Sequence, residues 1–213
     1  MEWDAILFDF DGVIGKSVED NFIAWKMAFE DYGLTLKPQD YFMLEGKRSP
    51  EIIRELLKDN SLSDKELDAI LALKDSYYAK HNSFQFYEGA EDLVNYLLTR
   101  PIKLALVSGG SRKRIYAPQS RSLVEKFHTV ITGEDCTETK PSPAPYLEAA
   151  CRLKVEPQRC LVVENAPLGI KSAKRAGMYC IALCSTLDKS YLGEADLILD
   201  NISELYRHLS GAL

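Results

Sequence analysis

Carboxylate, hydroxyl, ammonium and amide side chains follow short apolar runs at four separate places in the sequence. Carboxylates can serve as nucleophiles, general acids or metal ligands, whereas hydroxyl, ammonium and backbone N–H groups can bind an anion. Brought together, such groups would suit a reaction at an anionic centre. In chain order they are Asp9 and Asp11, then Ser108, Gly109 and Gly110, then Lys140 after a short loop, and finally Glu164 and Asn165.

Each of these groups also has a plain structural explanation when it is taken alone. The pattern Asp9-x-Asp11-Gly is common in turns, serine often begins a turn, and lysine is usually a solvated surface residue. A calcium-binding loop that starts at Asp9 is disfavoured, because it would need glycine in place of Ile14 and glutamate in place of Asp20. It is the joint placement of the groups that favours a functional site.

The apolar runs themselves predict a β-sheet. From residue 88 onward they alternate with helical patterns, which is typical of a parallel sheet covered on both faces. In such a sheet ligands bind beyond the carboxyl ends of the strands, so we expect the candidate groups to meet at one edge. The predicted strands lie at 5–8, 104–107, 130–132, 160–163, 180–183 and 197–199.

Between the first predicted strand and the others, the pattern changes to helices. Aromatic residues recur at three- and four-residue spacing from 22 to 32, and Gly33 then supplies a helix stop. Ser49-Pro50 is typical of an N-cap followed by proline at the first helical position. Ser63 and Glu66 form a capping-box pattern that predicts a third helix.

These patterns together predict the α/β fold class. We expect a Rossmann-like, doubly wound parallel sheet core with an inserted small all-helical cap domain. The core would consist of residues 1–15 and 88–213, and the cap of residues 16–87. A length of 213 residues suits one core domain with a smaller insertion.

Composition narrows the classes of partner and compartment. A formal net charge of -6 does not suit a basic nucleic-acid surface, and no apolar run approaches the ~20 residues that span a bilayer. The five cysteines form no CxxC pair, and the N-terminal segment lacks the pattern of an export signal. We therefore expect a cytoplasmic protein with reduced thiols that binds neither nucleic acid nor membrane. No pattern indicates its oligomeric state.

Four segments resemble the sequence motifs of the haloacid dehalogenase superfamily, in the family's own order. Ile-Leu-Phe-Asp9-Phe-Asp-Gly-Val-Ile resembles the first motif, and Val-Ser108-Gly-Gly-Ser resembles the second. Lys140-Pro-Ser-Pro resembles the third, and Val-Val-Glu164-Asn165-Ala-Pro-Leu-Gly-Ile, followed by Ala-Gly-Met, resembles the fourth. The resemblance covers nearly the whole chain, and the helical insertion lies where the family has its small cap. It implies a magnesium-dependent phosphohydrolase.

The resemblance implies a role for the residues of the first three motifs. Asp9 would attack phosphorus and form an aspartyl-phosphate, which divides one difficult step into two easier ones. Asp11 would protonate the leaving oxygen and later activate water. Ser108, Gly109 and Lys140 would hold the phosphoryl oxygens.

The same resemblance implies Mg²⁺ as the cofactor. Its ligands would be Asp9, the backbone carbonyl of Asp11, Glu164 and Asn165, completed by water. The family commonly has an acid at the position of Asn165, whose amide oxygen can bind the metal but brings no charge. Glu164 then becomes the more important anion, and both residues remain candidates for the direct ligand.

The cap would supply the contacts that distinguish one substrate from another. The loop Glu45-Gly46-Lys47-Arg48 lies between two predicted cap helices. It is either a solvated interhelical loop or a substrate-binding loop. In the second case Glu45, Lys47 and Arg48 would meet the part of the substrate that does not react.

The resemblance implies a hydrolase of a small phosphorylated metabolite, such as phosphoglycolate, a sugar phosphate or pyrophosphate. One alternative is a phosphomutase similar to β-phosphoglucomutase, although those relatives have lysine where this chain has Glu45. The dehalogenase and phosphonate-cleaving branches are disfavoured by Asp11, which the resemblance links to phosphoryl transfer. A second alternative is a non-catalytic regulatory module that binds phosphate.

Overall fold

Six parallel strands form the centre of the protein. The structure, a computed structural model, describes residues 3–60 and 62–212. Its strands are β1 (Ala5–Phe8), β2 (Lys103–Val107), β3 (Thr129–Ile131), β4 (Cys160–Glu164), β5 (Tyr179–Leu183) and β6 (Leu197–Leu199). They lie in the order β3-β2-β1-β4-β5-β6, and each neighbouring pair is parallel. This order reverses direction at β1, as in a doubly wound sheet, and the predicted fold class is confirmed.

The segment between β1 and β2 is helical and has an apolar core of its own. The helices around this core are α1 (Val18–Glu30), α2 (Pro38–Phe42), α3 (Ser49–Leu56) and α4 (Asp64–His81), whereas α5 (Ala90–Leu98) packs against the sheet. Trp25, Phe29 and Ile70 are buried in this core, which joins α1 to α4. The predicted capping box opens α4, because Ser63 and Glu66 each accept a hydrogen bond from the backbone N–H of the other.

Three details of the helical segment differ from the prediction. Helix α1 ends at Glu30, so Tyr32 lies in the turn that follows. Helix α3 begins at Ser49 with Arg48 as its N-cap, one residue earlier than predicted. Proline then takes the second helical position, where its missing N–H is again harmless because the first turn has no intrahelical acceptors. Helix α2 was not predicted, because its five residues are too few to show helical periodicity in the sequence.

Helices cover both faces of the sheet because successive strand residues point to opposite faces. The remaining helices are α6 (Arg112–Ile115), α7 (Pro118–Val124), α8 (Ala144–Leu153), α9 (Pro167–Arg175) and α10 (Ile202–Ala212). In β1, Ile6 and Phe8 pack in the apolar layer that contains α5 and α10, whereas Ala5 and Leu7 pack against α8 and α9. All four are fully buried. Burial of each large side chain contributes about 1.5–3 kcal/mol, which anchors the strand that carries the first motif.

The chain leaves the sheet layer and returns to it along two adjacent segments. Gly15 and Phe86 form an antiparallel bridge, and the backbone N–H of Lys16 donates to the carbonyl of Gln85 at 2.8 Å. These contacts hold the base of the helical segment beside the end of β1. The division into two domains at residues 16 and 87 stays a prediction.

Two features of composition have structural counterparts. All five cysteines have free thiols. In the part of the chain that the structure describes, no helix has both the length and the apolarity needed to cross a membrane.

Candidate active site

The carboxyl ends of β1, β2 and β4 bring three of the four motifs to one edge of the sheet. Phe8 pairs in register with Leu106 of β2 and with Val163 of β4. The backbone N–H of Asp9 donates to the Val163 carbonyl at 2.9 Å, so the ladder extends to the candidate nucleophile. Asp9 therefore lies between the second and fourth motifs, as expected for a central parallel strand.

Lys140 joins the third motif to this edge from the loop before α8. Only 1% of its surface is exposed, and its ammonium nitrogen Nζ lies 2.5 Å from Asp9 Oδ1 and 2.7 Å from Glu164 Oε1. The Val107 carbonyl accepts a third bond from Nζ at 3.2 Å. The hydroxyl of Tyr146 also donates to Glu164 Oε1, at 2.7 Å. A buried ammonium between two carboxylates is compensated on both sides, which burial of a charge requires.

Asp9 is in an environment that disfavours its charged form. Burial raises the pKa of its carboxyl group to about 8; Lys140 opposes this shift, whereas Glu164 and Asp11 add to it. One lysine thus offsets the burial of this acid only in part. A further positive charge beside Asp9 would favour the carboxylate that a nucleophile needs.

Asp11 has a different environment, dominated by one arginine. Both guanidinium ends of Arg114 donate to its carboxylate, at 2.6 Å and 2.5 Å, and the hydroxyl of Ser17 donates as well. Ser108 Oγ lies 3.3 Å from the same carboxylate. Burial acts to raise the pKa of Asp11, but the ion pair with Arg114 outweighs it and lowers the pKa below its ordinary value.

The glycine-rich turn after β2 lies directly beneath the cap loop. Ser108 is buried, and its Oγ accepts a hydrogen bond from the backbone N–H of Gly110 at 3.0 Å. A Cβ atom on Gly109 would lie 2.5 Å from the carbonyl oxygen of Gly46 and 3.0 Å from that of Lys47. Only glycine allows this approach, so the cap loop lies against the edge that carries the candidate catalytic groups.

The side-chain oxygens of Glu164 and Asn165 differ in their hydrogen-bond partners. Glu164 Oε1 accepts from Lys140 and Tyr146, and its Oε2 accepts the backbone N–H of Asn165 at 2.9 Å. Asn165 donates its amide nitrogen to Glu45 at 3.2 Å and to Thr186 at 2.9 Å. The amide oxygen Oδ1 of Asn165 is buried and has no hydrogen-bond partner among the residues that the structure describes. A buried acceptor left unsatisfied is costly, unless a cation or water fills the space before it.

The donor set at this edge fits Mg²⁺, which prefers oxygen ligands and usually keeps several waters. Among residues 3–60 and 62–212, no group of three or more His, Cys, Asp or Glu side chains could hold a metal by itself. A site here would therefore combine Asp9 with the free amide oxygen of Asn165, a backbone carbonyl and water. The oxygens of Glu164 already accept from Lys140, Tyr146 and the backbone N–H of Asn165, and its place as a direct ligand stays a prediction.

The three predicted cap residues lie at the same cavity but make different contacts. Burial raises the pKa of Glu45 well above its ordinary value, and Asp11, Asp9 and Glu164 add to the shift. Lys47 Nζ lies 3.7 Å from a carboxylate oxygen of Glu55. Arg48 donates to Glu51 through Nε at 2.8 Å and to the Thr137 carbonyl at 3.0 Å. The loop is therefore not a freely solvated connection, since its charges are buried or paired.

A cavity of about 400 Å³ lies between the cap and the strand ends. Its wall combines the candidate catalytic groups with aromatic and charged cap residues, which include Trp25, Tyr41, Glu45, Lys47, Arg48 and Lys74. A volume of this size accommodates a small metabolite.

Three residues of the site were not predicted from the sequence: Tyr146 and Lys74, which are buried, and Arg114, which is partly buried. Lys74 could have been recognised, because it follows Ile70 by one helical turn and therefore falls on the buried face of α4, where lysine is rare. Arg114 belongs to a four-residue helix that shows no periodicity. Its contact with Asp11 depends on the tertiary fold.

The family model of haloacid dehalogenase-like hydrolases matches residues 6–183 of this chain. The match spans both the sheet and the helical segment, so the chain belongs to this family. The prediction of a hydrolase of the haloacid dehalogenase type is thereby confirmed.

Individual relatives include a phosphatase and a mutase. The chain is 30% identical over 208 residues to validoxylamine A 7'-phosphate phosphatase of Streptomyces hygroscopicus subsp. limoneus, with 95% of this chain and 96% of the relative covered. It is 27% identical over 209 residues to β-phosphoglucomutase of Bacillus subtilis (strain 168), with 94% and 91% covered. A solved hydrolase from Pseudomonas syringae superposes with a TM-score of 0.88 over 98% of each chain, at 22% identity, which bears on the fold alone.

Proposed function

We propose that this protein is a magnesium-dependent phosphohydrolase that acts on a small phosphorylated metabolite through an aspartyl-phosphate on Asp9. The observation that carries the proposal is the buried cluster of Asp9, Lys140 and Glu164 beside the unpartnered oxygen of Asn165. Phosphoryl transfer needs a nucleophile, a positive charge near the phosphoryl oxygens and ligands for a metal ion. Here these would be the Asp9 carboxylate, the Lys140 ammonium and the amide oxygen of Asn165. The phosphatase relative in this family supports the same reaction class.

The proposed reaction has two steps. In the first, a carboxylate oxygen of Asp9 forms a bond to phosphorus as the bond to the leaving oxygen breaks, and Asp11 gives its proton to that oxygen. In the second, Asp11 takes a proton from water, the water oxygen bonds to phosphorus, and the bond to Asp9 breaks. Lys140, Ser108 and the N–H of Gly109 stabilise the charge on the phosphoryl oxygens. Bound Mg²⁺ would neutralise negative charge at the same centre.

The ion pair with Arg114 imposes a condition on this mechanism. Asp11 must be protonated to act as the acid of the first step, yet Arg114 favours its carboxylate form. Arg114 lines the cavity and is mostly buried beside Asp11. We therefore expect Arg114 to turn from Asp11 toward the substrate when the substrate binds.

The cap loop is the proposed source of substrate selectivity. Lys47 and Arg48 line the cavity, and their present partners, Glu55 and Glu51, lie in α3. Exchange of these ion pairs for an anionic or hydroxylated group of the substrate would cost little, since partly exposed ion pairs contribute only about 0–1 kcal/mol. Binding energy gained there can raise the rate of the chemical step.

The test is phosphate release from a panel of phosphorylated metabolites, measured with Mg²⁺ and after its removal with a chelator. The proposal predicts turnover of at least one panel member that requires the metal. A phosphomutase, favoured by the β-phosphoglucomutase relative, would isomerise a sugar phosphate with little release of phosphate. Binding of substrates without either product would identify a non-catalytic module and overturn the proposal.

A further inference from the structure

Glu45 places a carboxylate from the cap loop among the acids of the strand ends. It is 6% exposed, and in the described part of the chain its side chain has one hydrogen-bond partner, the amide nitrogen of Asn165 at 3.2 Å. One neutral N–H group does not compensate a buried carboxylate. We therefore expect the Glu45 carboxylate to have a further partner.

The charges around Glu45 indicate the kind of partner. Asp9, Asp11 and Glu164 all interact with Glu45 as like charges. Two cations are paired with these acids: Lys140 bonds to Asp9 and Glu164, and Arg114 bonds to Asp11. Lys74 adds a third positive charge near Asp11. These three cations pair with other acids, and among the described residues none of them forms an ion pair with Glu45. A divalent cation beside Asn165 would supply the positive charge that Glu45 lacks.

A second and independent observation points to the same partner. Asn165, whose amide nitrogen donates to the Glu45 carboxylate, is 1% exposed, and its amide oxygen has no hydrogen-bond partner within residues 3–60 and 62–212. The amide thus binds the cap with its nitrogen and leaves its oxygen for another ligand. One side chain connects the Glu45 loop with the place where a cation would lie.

We infer that Glu45 supplies, from the cap, the negative charge at the magnesium site that Asn165 does not provide. This inference rests on the magnesium dependence in the proposed function. It couples metal binding to the position of the cap loop, because Glu45 precedes Gly46, whose backbone lies against Lys140 and Gly109. Linkage then requires that magnesium stabilise the closed loop as much as the closed loop favours magnesium.

The test is the dissociation constant of Mg²⁺, measured by titration calorimetry on Glu45→Gln and the unaltered protein. Glutamine keeps the size of the side chain and an oxygen that accepts from Asn165, so the fold is retained. Loss of a charged group that supports a metal typically weakens affinity about 10- to 100-fold, and we expect a change in that range. Glu30→Gln, which removes an exposed carboxylate of the cap, is the matched control and should bind as the unaltered protein does.

A double-mutant cycle separates charge at the metal from other roles of Glu45. In an Asn165→Asp background, the core residue itself supplies the charge, so Glu45→Gln should weaken Mg²⁺ binding much less. Hydrogen exchange provides a measurement that does not depend on turnover. Mg²⁺ should slow exchange of the backbone amides of residues 45–48 more in the unaltered protein than in Glu45→Gln.

The outcomes distinguish this inference from the proposed function. If the unaltered protein and Glu45→Gln bind Mg²⁺ equally, the role of Glu45 is wrong while magnesium dependence stands. An equal loss of affinity in both Asn165 backgrounds would also overturn it. If the unaltered protein binds no Mg²⁺, the proposed metal dependence fails, and the inference fails with it.

Discussion

Buried charged side chains have strong ion-pair partners at the strand ends but weaker partners in the cap. At the strand ends, charges are paired with one another: Lys140 bonds to both Asp9 and Glu164, and Arg114 forms a two-pronged ion pair with Asp11. Lys140 is thereby held in place before any substrate arrives, and such a preorganised charge can stabilise a transition state without reorganisation at the moment of reaction. Arg114 is paired with Asp11, and we expect it to turn toward the substrate only when the substrate binds.

In the cap, two buried charged groups have weaker partners. Glu45 has the Asn165 amide, and Lys74 has Asp75 at 3.4 Å, whose side chain is 68% exposed. Lys74 also lies over the rings of Trp25 and Tyr78, at 5.5 Å and 5.3 Å from their centroids. Burial lowers the pKa of Lys74 to about 8.

This difference separates two tasks within one cavity. In the proposed mechanism the core carries the groups that the reaction requires, and these groups are paired with one another. The cap has buried charged groups with weak partners in the protein, and we expect a metal ion or the substrate to pair with them. Substitutions in the core should therefore abolish the reaction, whereas those in the cap should change what is bound.

The largest effect is expected for Asp9→Asn. An amide cannot form the acyl phosphate, so phosphate release should fall at least roughly 10³-fold. Stability should be retained, since burial already disfavours the charged form of Asp9. Phosphate release and thermal unfolding measure the two quantities. Asp68→Asn, on the exposed side of α4, is the control, and substantial turnover by Asp9→Asn would contradict the covalent mechanism.

A smaller loss is expected for Arg114→Met, which leaves Asp11 without its main partner. We expect kcat/KM to fall about 10- to 100-fold through misplacement of Asp11, and the free energy of unfolding to fall about 1–3 kcal/mol. Arg114 lowers the folded-state pKa of Asp11. Its contribution to stability is therefore complete above the ordinary carboxyl pKa of 3.8 and is lost as pH falls through the folded-state value.

The measurement for Arg114→Met is denaturant unfolding at several pH values. The stability difference from the unaltered protein should be constant near neutral pH and shrink below about pH 4. Arg121→Met removes an exposed arginine that pairs with Glu125 in the following turn, and it should change stability by less than about 0.5 kcal/mol. A difference that grew toward acid pH would show that the ion pair does not stabilise Asp11.

The smallest effect is expected for Lys47→Ala and Arg48→Ala, made separately. Both side chains already have carboxylate partners in α3, so their loss should leave the chemistry intact. Relative kcat/KM across the metabolite panel should change more than the rate with a small aryl phosphate. Equal losses on every substrate, or none on any, would mean that the loop does not determine specificity.

The edge that carries the candidate catalytic groups was predictable from the sequence because its determinants are local. A short apolar run, a polar residue after it and the parallel order of the strands were enough to place Asp9, Asp11, Ser108 and Glu164 together. Lys140 was a candidate because it follows a predicted strand after a short loop, but its place between Asp9 and Glu164 depends on tertiary contacts of that loop.

The contacts that connect the cap to the core could not be read from the sequence. Glu45 and Asn165 are 120 positions apart, and Arg114 lies in a helix too short for a periodic pattern. The position of the cap on the sheet determines which residues these side chains contact. The sequence did indicate that Asn165 lacks the usual charge, but not that a cap carboxylate lies beside it.

The central claim is that Asp9 becomes phosphorylated during turnover. The most direct measurement is rapid quenching of the reaction with a radiolabelled substrate found in the panel, followed by location of the protein-bound label by mass spectrometry. We expect transient phosphate on Asp9, released by hydroxylamine as an acyl phosphate should be, and absent from Asp9→Asn. Magnesium-dependent turnover with no bound phosphate at any time, or with the phosphate on another residue, would contradict it.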